Sequence, residues 1–195
     1  MRNFDSLKKL LDSKLKEYNR PIFIKGDPIS IPHAFNQKED IEIAGFFAAI
    51  FAWGLRKTII NKCRDLLQRM DNAPYDFLIN HKEKDLLQLS GFVHRTFNDS
   101  DLLFYVVRLS ELYRNEKGLE GAFLRGHDHE QETAANAISG FRNHFFNSED
   151  CLPRNKKHIS NPAKNSACKR INMFLRWMVR KDEAGVDFGI WKGIR

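Results

Sequence analysis

The chain has 195 residues, of which 42% are hydrophobic and 16 are phenylalanine, so it can bury a sizeable core and is not a disordered protein. Its net charge of +7 favours a polyanionic partner. The longest apolar run, Ile43–Trp53, has 11 residues and is too short to span a membrane. Because the N-terminus has no apolar signal core, we expect a cytoplasmic protein with no membrane partner.

In the first half of the chain, apolar residues recur at the spacing of amphipathic helices. The segment between Pro21 and Pro32 is the exception, because its isoleucines alternate, and it predicts a loop or a short strand pair. One helix is apolar on nearly all sides and is the predicted central buried helix. The predicted helices are Phe4–Tyr18, the central Lys38–Trp53, Lys57–Met70, Tyr75–Asn80 and Lys82–Gln88.

The second half of the chain is also predominantly helical in its pattern. Residues 91–96 predict a turn or a short extended piece, and Asn98 or Ser100 is the predicted cap of the long helix that follows. A basic loop over residues 147–166 leads into the last long helix. These features predict an all-α helical bundle over residues 1–195, as one domain or as two lobes. The predicted helices run to about Asn115 and then cover Gly118–Leu124, Glu132–Phe146 and Ile171–Arg180.

The start of the last long helix has the composition of an anion-binding site. Ser166 is the predicted N-cap, which leaves the amides of the first turn free to bind a ligand. The positive end of the helix dipole and nearby cations favour an anion, for which a nucleic-acid phosphate is the obvious candidate. The cations in this small region are Lys164, Lys169, Arg170 and Arg176.

Helical spacing divides the last helix into two faces, a core face with Ala167 and an outer face with Lys169. A solvated basic face is the simpler interpretation of the outer residues. A lysine beside a helix N-terminus and other cations loses proton affinity, which suits an amine that forms a Schiff base with a sugar carbon. The core face also has Ile171, Phe174, Leu175 and Met178, and the outer face has Asn172, Met173, Arg176 and Arg180.

The stretch Asn165–Asn172 resembles the hairpin and following helix of the helix-hairpin-helix DNA glycosylases. The resemblance implies an all-helical fold with a cleft between two lobes, hairpin amides that hold the DNA backbone, and Lys169 at the position of the imine-forming lysine. Ile43–Cys63 is similar to the family's early buried helix, so Gly54–Lys57 corresponds to the loop that wedges the duplex open. The residues expected to contact DNA are Leu55, Arg56, Lys57, Lys164, Asn165, Ser166, Ala167, Arg170 and Arg176.

Three stretches resemble more closely an uncharacterised bacterial domain-of-unknown-function family that is related to these glycosylases. They are Phe92–Phe97, Lys157–Arg170 and Leu175–Lys181. This closer resemblance covers essentially the whole chain.

The chain departs from the glycosylase pattern in two places. Asn165 and Ala167 stand where the hairpin has glycines, and a left-handed backbone suits Asn far better than Ala. The family's catalytic aspartate lies in a Val-Asp-Thr-His pattern, whereas Val186-Asp187 here has no Thr-His after it. We therefore expect a chain truncated at its C-terminus, in which Asp187 is the candidate to replace the missing carboxylate.

Trp53, His94 and Arg95 are candidates for the cleft. We interpret Trp53 as a core residue in preference to a base-stacking platform. His94 and Arg95 either line the cleft and contact phosphate or satisfy buried backbone groups. His127 and His129 lie in a polar loop and are interpreted as solvated, and the three cysteines are scattered, so we expect no metal and no cofactor.

The sequence therefore predicts a protein that binds the phosphate backbone of duplex DNA. In addition to this binding, we predict a base-excision glycosylase or lyase activity on damaged DNA, in which Lys169 attacks the sugar carbon of a flipped nucleotide. Two alternatives stay open: a non-catalytic nucleic-acid-binding module of the same fold, and a helical protein-interaction domain. The sequence leaves the preferred lesion and the oligomeric state open.

Overall fold

The computed structural model describes residues 4–128, 130 and 133–194, and these residues are mostly helical. The all-α class is thereby confirmed, with one small antiparallel hairpin of strands β1 (Val93–His94) and β2 (Phe97–Asn98). No helix in the described ranges is both long and apolar enough to cross a bilayer. The α-helices are α1 (Phe4–Tyr18), α2 (Pro21–Ile24), α3 (Lys38–Phe51), α4 (Arg56–Arg69), α5 (Pro74–Asn80), α6 (Glu83–Leu86), α7 (Asp99–Asn115), α8 (Gly118–Leu124), α9 (Ala135–Phe145) and α10 (Lys169–Val179).

Helix α3 lies at the centre of the core, as its apolar sequence predicts. Every residue from Ile41 to Phe51 is buried, and the helix packs against α4, α5 and α10. Phe46 is fully buried, and its ring centroid lies 5.8 Å from that of Phe141 and 5.6 Å from that of Phe174. These aromatic contacts join α3, α9 and α10. Large rings bury much apolar surface, so the contacts stabilise the packing of the three helices.

Glu42 is the charged residue within this buried stretch of α3. Its Oε1 accepts a hydrogen bond from Trp191 Nε1 at 2.6 Å, and its Oε2 accepts one from the Tyr113 hydroxyl at 2.7 Å. Burial raises the pKa of the Glu42 carboxyl to about 7, although both hydrogen bonds and Lys38 act to lower it. The bond to Trp191 fastens the segment after α10 onto the core.

The segment between Pro21 and Pro32 is helical, so the predicted strand pair is wrong. It forms α2 and a 3₁₀ helix at Pro28–Ser30, and a second 3₁₀ helix covers Pro32–Ala34. Each piece begins at a proline, which lacks the amide that a first turn leaves unbonded and has its φ fixed near the helical value. The alternating isoleucines therefore do not define a strand.

Helix α1 lies where the sequence predicts it, yet none of its residues is buried. Its leucines are about half exposed. Such an apolar stripe is a typical surface for a partner. The stripe consists of Leu7, Leu10, Leu11 and Leu15.

A buried carboxylate fastens the irregular segment 147–166 to α7. Asp101 is fully buried and accepts hydrogen bonds at 2.9 Å from both Arg154 Nη2 and Asn155 Nδ2. The Nε2 atom of His158 lies 3.1 Å from the same carboxylate. Asn98, rather than Ser100, caps α7 in a reciprocal pair with Asp101. Because a buried charge requires such partners, this network fixes the backbone of the basic segment.

Candidate nucleic-acid interface

Two residues with left-handed backbone shape the turn before α10. Asn165 has a φ of 56° and Cys168 a φ of 48°. Asparagine adopts this region at little cost, as expected, whereas a cysteine there is strained. The second residue with a left-handed backbone is thus Cys168 and not Ala167, where the glycosylase pattern has a glycine. The left-handed positions of this turn therefore do not coincide with those that the glycosylase pattern predicts.

The N-cap of α10 is Cys168, so the predicted cap at Ser166 is wrong. Ser166 Oγ instead accepts a hydrogen bond from the amide of Cys168 at 3.3 Å, and Cys168 makes no side-chain hydrogen bond to the first turn. Residues 164–167 and Lys169 are exposed. Cys168 itself is buried. No side chain therefore caps the positive end of the α10 dipole, which lies beside an exposed turn.

Helix α10 has the two faces that its sequence predicts, apart from Ala167 and from Met173, which is predicted on the outer face but is partly buried against the core. Ala167 is exposed rather than part of the core, because it precedes the left-handed Cys168 and lies outside the helix. No carboxylate among the described residues forms an ion pair with Lys169. The predicted core residues Ile171, Phe174, Leu175 and Met178 are buried, and Lys169, Asn172 and Arg176 are exposed.

Arg170 joins the start of α10 to the end of α3. Its guanidinium donates one hydrogen bond to the carbonyl of Ile50 and another to the carbonyl of His158 at 3.2 Å. Burial lowers the pKa of this guanidinium from its ordinary value. Because the Arg170 guanidinium already donates hydrogen bonds to two carbonyls inside the protein, the geometry favours a positioning role for Arg170 over a direct contact with phosphate.

The loop between α3 and α4 presents apolar side chains to solvent. Trp53 is 52% exposed and Leu55 is 76% exposed, so the interpretation of Trp53 as a core residue is wrong. The guanidinium of Arg95 lies over the Trp53 ring, 4.9 Å from its centroid. Gly54 has a φ of 119°, and a Cβ atom there would collide with the same guanidinium. The left-handed glycine and the stacked arginine thus hold Trp53 away from the core.

Leu55 continues from Trp53 into α4, where Arg56 and Lys57 begin the helix with exposed side chains. Arg56 Nε lies 3.9 Å from Asp27 Oδ2, so this arginine is partly neutralised. Lys57 adds a positive charge beside the exposed Trp53. The loop that is predicted to wedge the duplex open therefore begins with exposed apolar side chains, Trp53 and Leu55, and ends with the cations Arg56 and Lys57.

His94 lies beneath this loop and is buried. Its Nε2 atom lies 3.0 Å from the carbonyl of Phe51. Burial lowers the pKa of the His94 imidazole, and the nearby charges of Arg95, Lys62 and Arg170 lower it further. Of its two predicted roles, the geometry favours the one that satisfies a buried backbone group.

The structure does not bring Asp187 to Lys169. Asp187 is buried, and its Oδ2 atom accepts hydrogen bonds from Arg176 Nε at 3.1 Å and Arg180 Nη1 at 3.2 Å. Arg176 is seven residues beyond Lys169, which corresponds to about 10 Å along the helix axis. The predicted catalytic pair is therefore not assembled, and Asp187 serves as the counter-ion of two arginines.

Asp27 lies near Arg56 and Arg176, and the sequence analysis does not identify it. Its carboxylate accepts a hydrogen bond from the Ile29 amide at 3.1 Å. Burial raises the pKa of Asp27, while the charges of Arg56 and Arg176 act to lower it. The Asp-Pro pair at 27–28 is a recognisable signal for a turn or helix start, but it gives no indication of the arginines that lie nearby.

The described residues contain no group of three or more His, Cys, Asp or Glu side chains that could hold a metal ion. His129, which belongs to the polar loop discussed above, lies outside the described residues.

Comparison with known proteins gave one match. Residues 27–195 match the model of a family described as "Protein of unknown function (DUF2400)". No curated protein and no solved structure matches the chain.

Proposed function

The chain belongs to the DUF2400 family, whose description names no activity, and we propose from its geometry that it binds duplex DNA through the phosphate backbone. The start of α10 carries this proposal, because no side chain caps this helix and the nearby side chains of Lys164 and Lys169 are exposed. Backbone amides and the helix dipole favour an anion there, and the lysines add charge. A cytoplasmic location stays a prediction.

The loop after α3 supports a second contact with the same duplex. Arg170 ties the start of α10 to Ile50, three residues before Trp53. The exposed Trp53 and Leu55 therefore lie in the chain segment that follows this hydrogen bond. Aromatic and apolar side chains beside cations suit contact with base edges or unpaired bases. This pairing is consistent with a fold of the helix-hairpin-helix glycosylase type, which we retain as part of the proposal.

A glycosylase or lyase activity is the second candidate. It is favoured by Lys169, an exposed amine without a carboxylate partner at a helix N-terminus. Against it, Asp187 pairs with Arg176 and Arg180 rather than with this lysine. Binding without base excision is therefore the function that the geometry supports best.

Borohydride trapping on DNA with an abasic site separates the two candidates. A lyase forms an imine that borohydride reduces to a stable crosslink, and Lys169→Gln abolishes that crosslink. A binding module retains the duplex but gives no crosslink with either protein.

The salt dependence of duplex affinity tests the backbone proposal itself. We expect affinity to fall steeply with salt, and we expect Lys164→Ala and Lys169→Ala each to reduce the slope of log affinity against log salt by about one. Lys84→Ala removes another exposed lysine, which lies on α6, and is the matched control. A flat salt dependence, or an equal effect of Lys84→Ala, contradicts the proposal.

The exposed stripe on α1 favours protein interaction as a further candidate. Leu11 lies within that stripe and is 58% exposed. If α1 mediates association, sedimentation analysis will show an oligomer that Leu11→Lys dissociates. A monomer at all concentrations speaks against self-association through α1.

A further inference from the structure

A basic recess lies beside the start of α10, and its charge is not balanced. It is a surface pocket of about 340 Å³, and no carboxylate lines it. Within the described residues, no Asp or Glu forms an ion pair with any of its four cations. Cationic groups together with hydroxyl donors are the set that binds phosphate. The side chains that define the basic recess are Arg142, Lys156, Lys157, Lys164, Ser160 and Ser166.

The frame of the basic recess is fixed by hydrogen bonds. Arg142 extends from α9 to the irregular segment, where its Nε donates to the carbonyl of Ile159 at 3.1 Å and its Nη2 to that of Lys156 at 3.2 Å. Asn155, which precedes Lys156, is held by the buried Asp101. By the same reasoning as for Arg170, Arg142 has a positioning role, and Lys156, Lys157 and Lys164 are the cations that a ligand can contact. The backbone that presents these lysines is in place before a ligand arrives, which lowers the entropic cost of binding.

The basic recess adjoins the proposed backbone site because both use Lys164 and Ser166. A strand whose phosphates follow the start of α10 would reach the recess within a short distance. An internal phosphodiester carries one negative charge, whereas a terminal phosphate monoester carries a charge of about −1.5 to −2. The cations of the recess, which have no carboxylate among their neighbours, therefore favour the monoester.

We propose that the basic recess binds the terminal phosphate monoester of a DNA strand. The inference rests on the proposed function, because it requires the strand to lie along the start of α10. A strand end can supply this group at its 5′ or its 3′ side, and both present the same chemistry to the recess.

The test compares four nicked duplexes with a dumbbell duplex that has no strand end. The nick carries a 5′ phosphate, a 5′ hydroxyl, a 3′ phosphate or a 3′ hydroxyl, and affinities are measured by fluorescence anisotropy at one salt concentration. We expect the phosphate at one side of the nick to increase affinity about tenfold over the matching hydroxyl, as one added charge-assisted contact would. The side that shows this preference identifies the source of the phosphate.

The variant Lys156→Ala/Lys157→Ala isolates the basic recess. Both lysines are exposed, so the variant should fold, which the thermal transition checks. We expect it to lose the preference for the phosphate end and to bind the dumbbell nearly as well as the parent. The control Lys84→Ala should keep both properties.

The outcomes separate this inference from the proposed function. Binding of the dumbbell with equal affinity for phosphate and hydroxyl ends overturns the inference alone. Loss of the preference in Lys84→Ala as well overturns it too, since the effect then follows net charge. If none of the duplexes binds in a salt-dependent way, both the inference and the proposed function are overturned.

Discussion

Glu42→Gln tests whether the buried carboxyl that anchors Trp191 determines the pH dependence of stability. In the folded protein the pKa of Glu42 is raised to about 7 from an ordinary value of 4.5. The carboxyl therefore keeps its proton in the folded state at pH values where the unfolded chain has already lost it. Such a group stabilises the fold most at low pH, and the contribution is lost as the pH rises through 7.

The size of the effect follows from the two pKa values. About 2.5 pKa units separate the folded from the unfolded state, and each corresponds to about 1.4 kcal/mol, so the free energy of unfolding should fall by about 3 kcal/mol between pH 4.5 and 8 from this group alone. Glutamine is neutral throughout and can still accept the hydrogen bond of Trp191 Nε1. Glu42→Gln should therefore be less sensitive to pH than the parent by that amount.

Urea unfolding at pH values from 4.5 to 8 measures this difference. Glu149→Gln is the matched control, because it removes an exposed carboxyl and should leave the pH dependence of the parent unchanged. Parallel pH profiles for the parent and Glu42→Gln would refute the reasoning, since the carboxyl would then titrate alike in both states.

Two further predictions concern the elements that position the site. Gly54→Ala should lower the free energy of unfolding by about 1–2 kcal/mol, measured by urea titration, because alanine is strained at a φ of 119° and its Cβ would displace Arg95; an unchanged midpoint would contradict the assigned backbone. Asp101→Asn should cost about 3–5 kcal/mol, because Arg154 and His158 lose their buried partner. Limited proteolysis should then cut within residues 147–166, and an uncut segment would show that Asp101 does not hold it.

The sequence predicts the helices well where local pattern decides the structure. The buried α3 follows from its apolar run, and the two faces of α10 follow from helical spacing. It fails where local rules compete, as between Pro21 and Pro32, where prolines at helix starts outweigh the alternation of isoleucines. Ser166 was misplaced as a cap for a related reason, since the strained Cys168 takes the last position before the helix.

The candidate site was predicted in its parts but not in its connections. Trp53 ends an apolar run, and its exposure depends on a contact with Arg95, which is distant in the sequence. Asp101 and Arg154 are 53 residues apart, and no local pattern links them. The separation of Asp187 from Lys169 likewise depends on how the segment after α10 returns along that helix. Such long-range pairings come from tertiary packing, which one sequence does not reveal.

The central claim is that backbone amides at the start of α10 hold a DNA phosphate with the help of neighbouring lysines. Amide chemical shifts of ¹⁵N-labelled protein, followed while a short duplex is added, test it most directly. We predict that the largest changes occur at residues 165–171, and that they shrink when salt is raised or when Lys169→Ala replaces the parent. Changes confined to α1, with residues 165–171 unaffected at saturation, would contradict the claim.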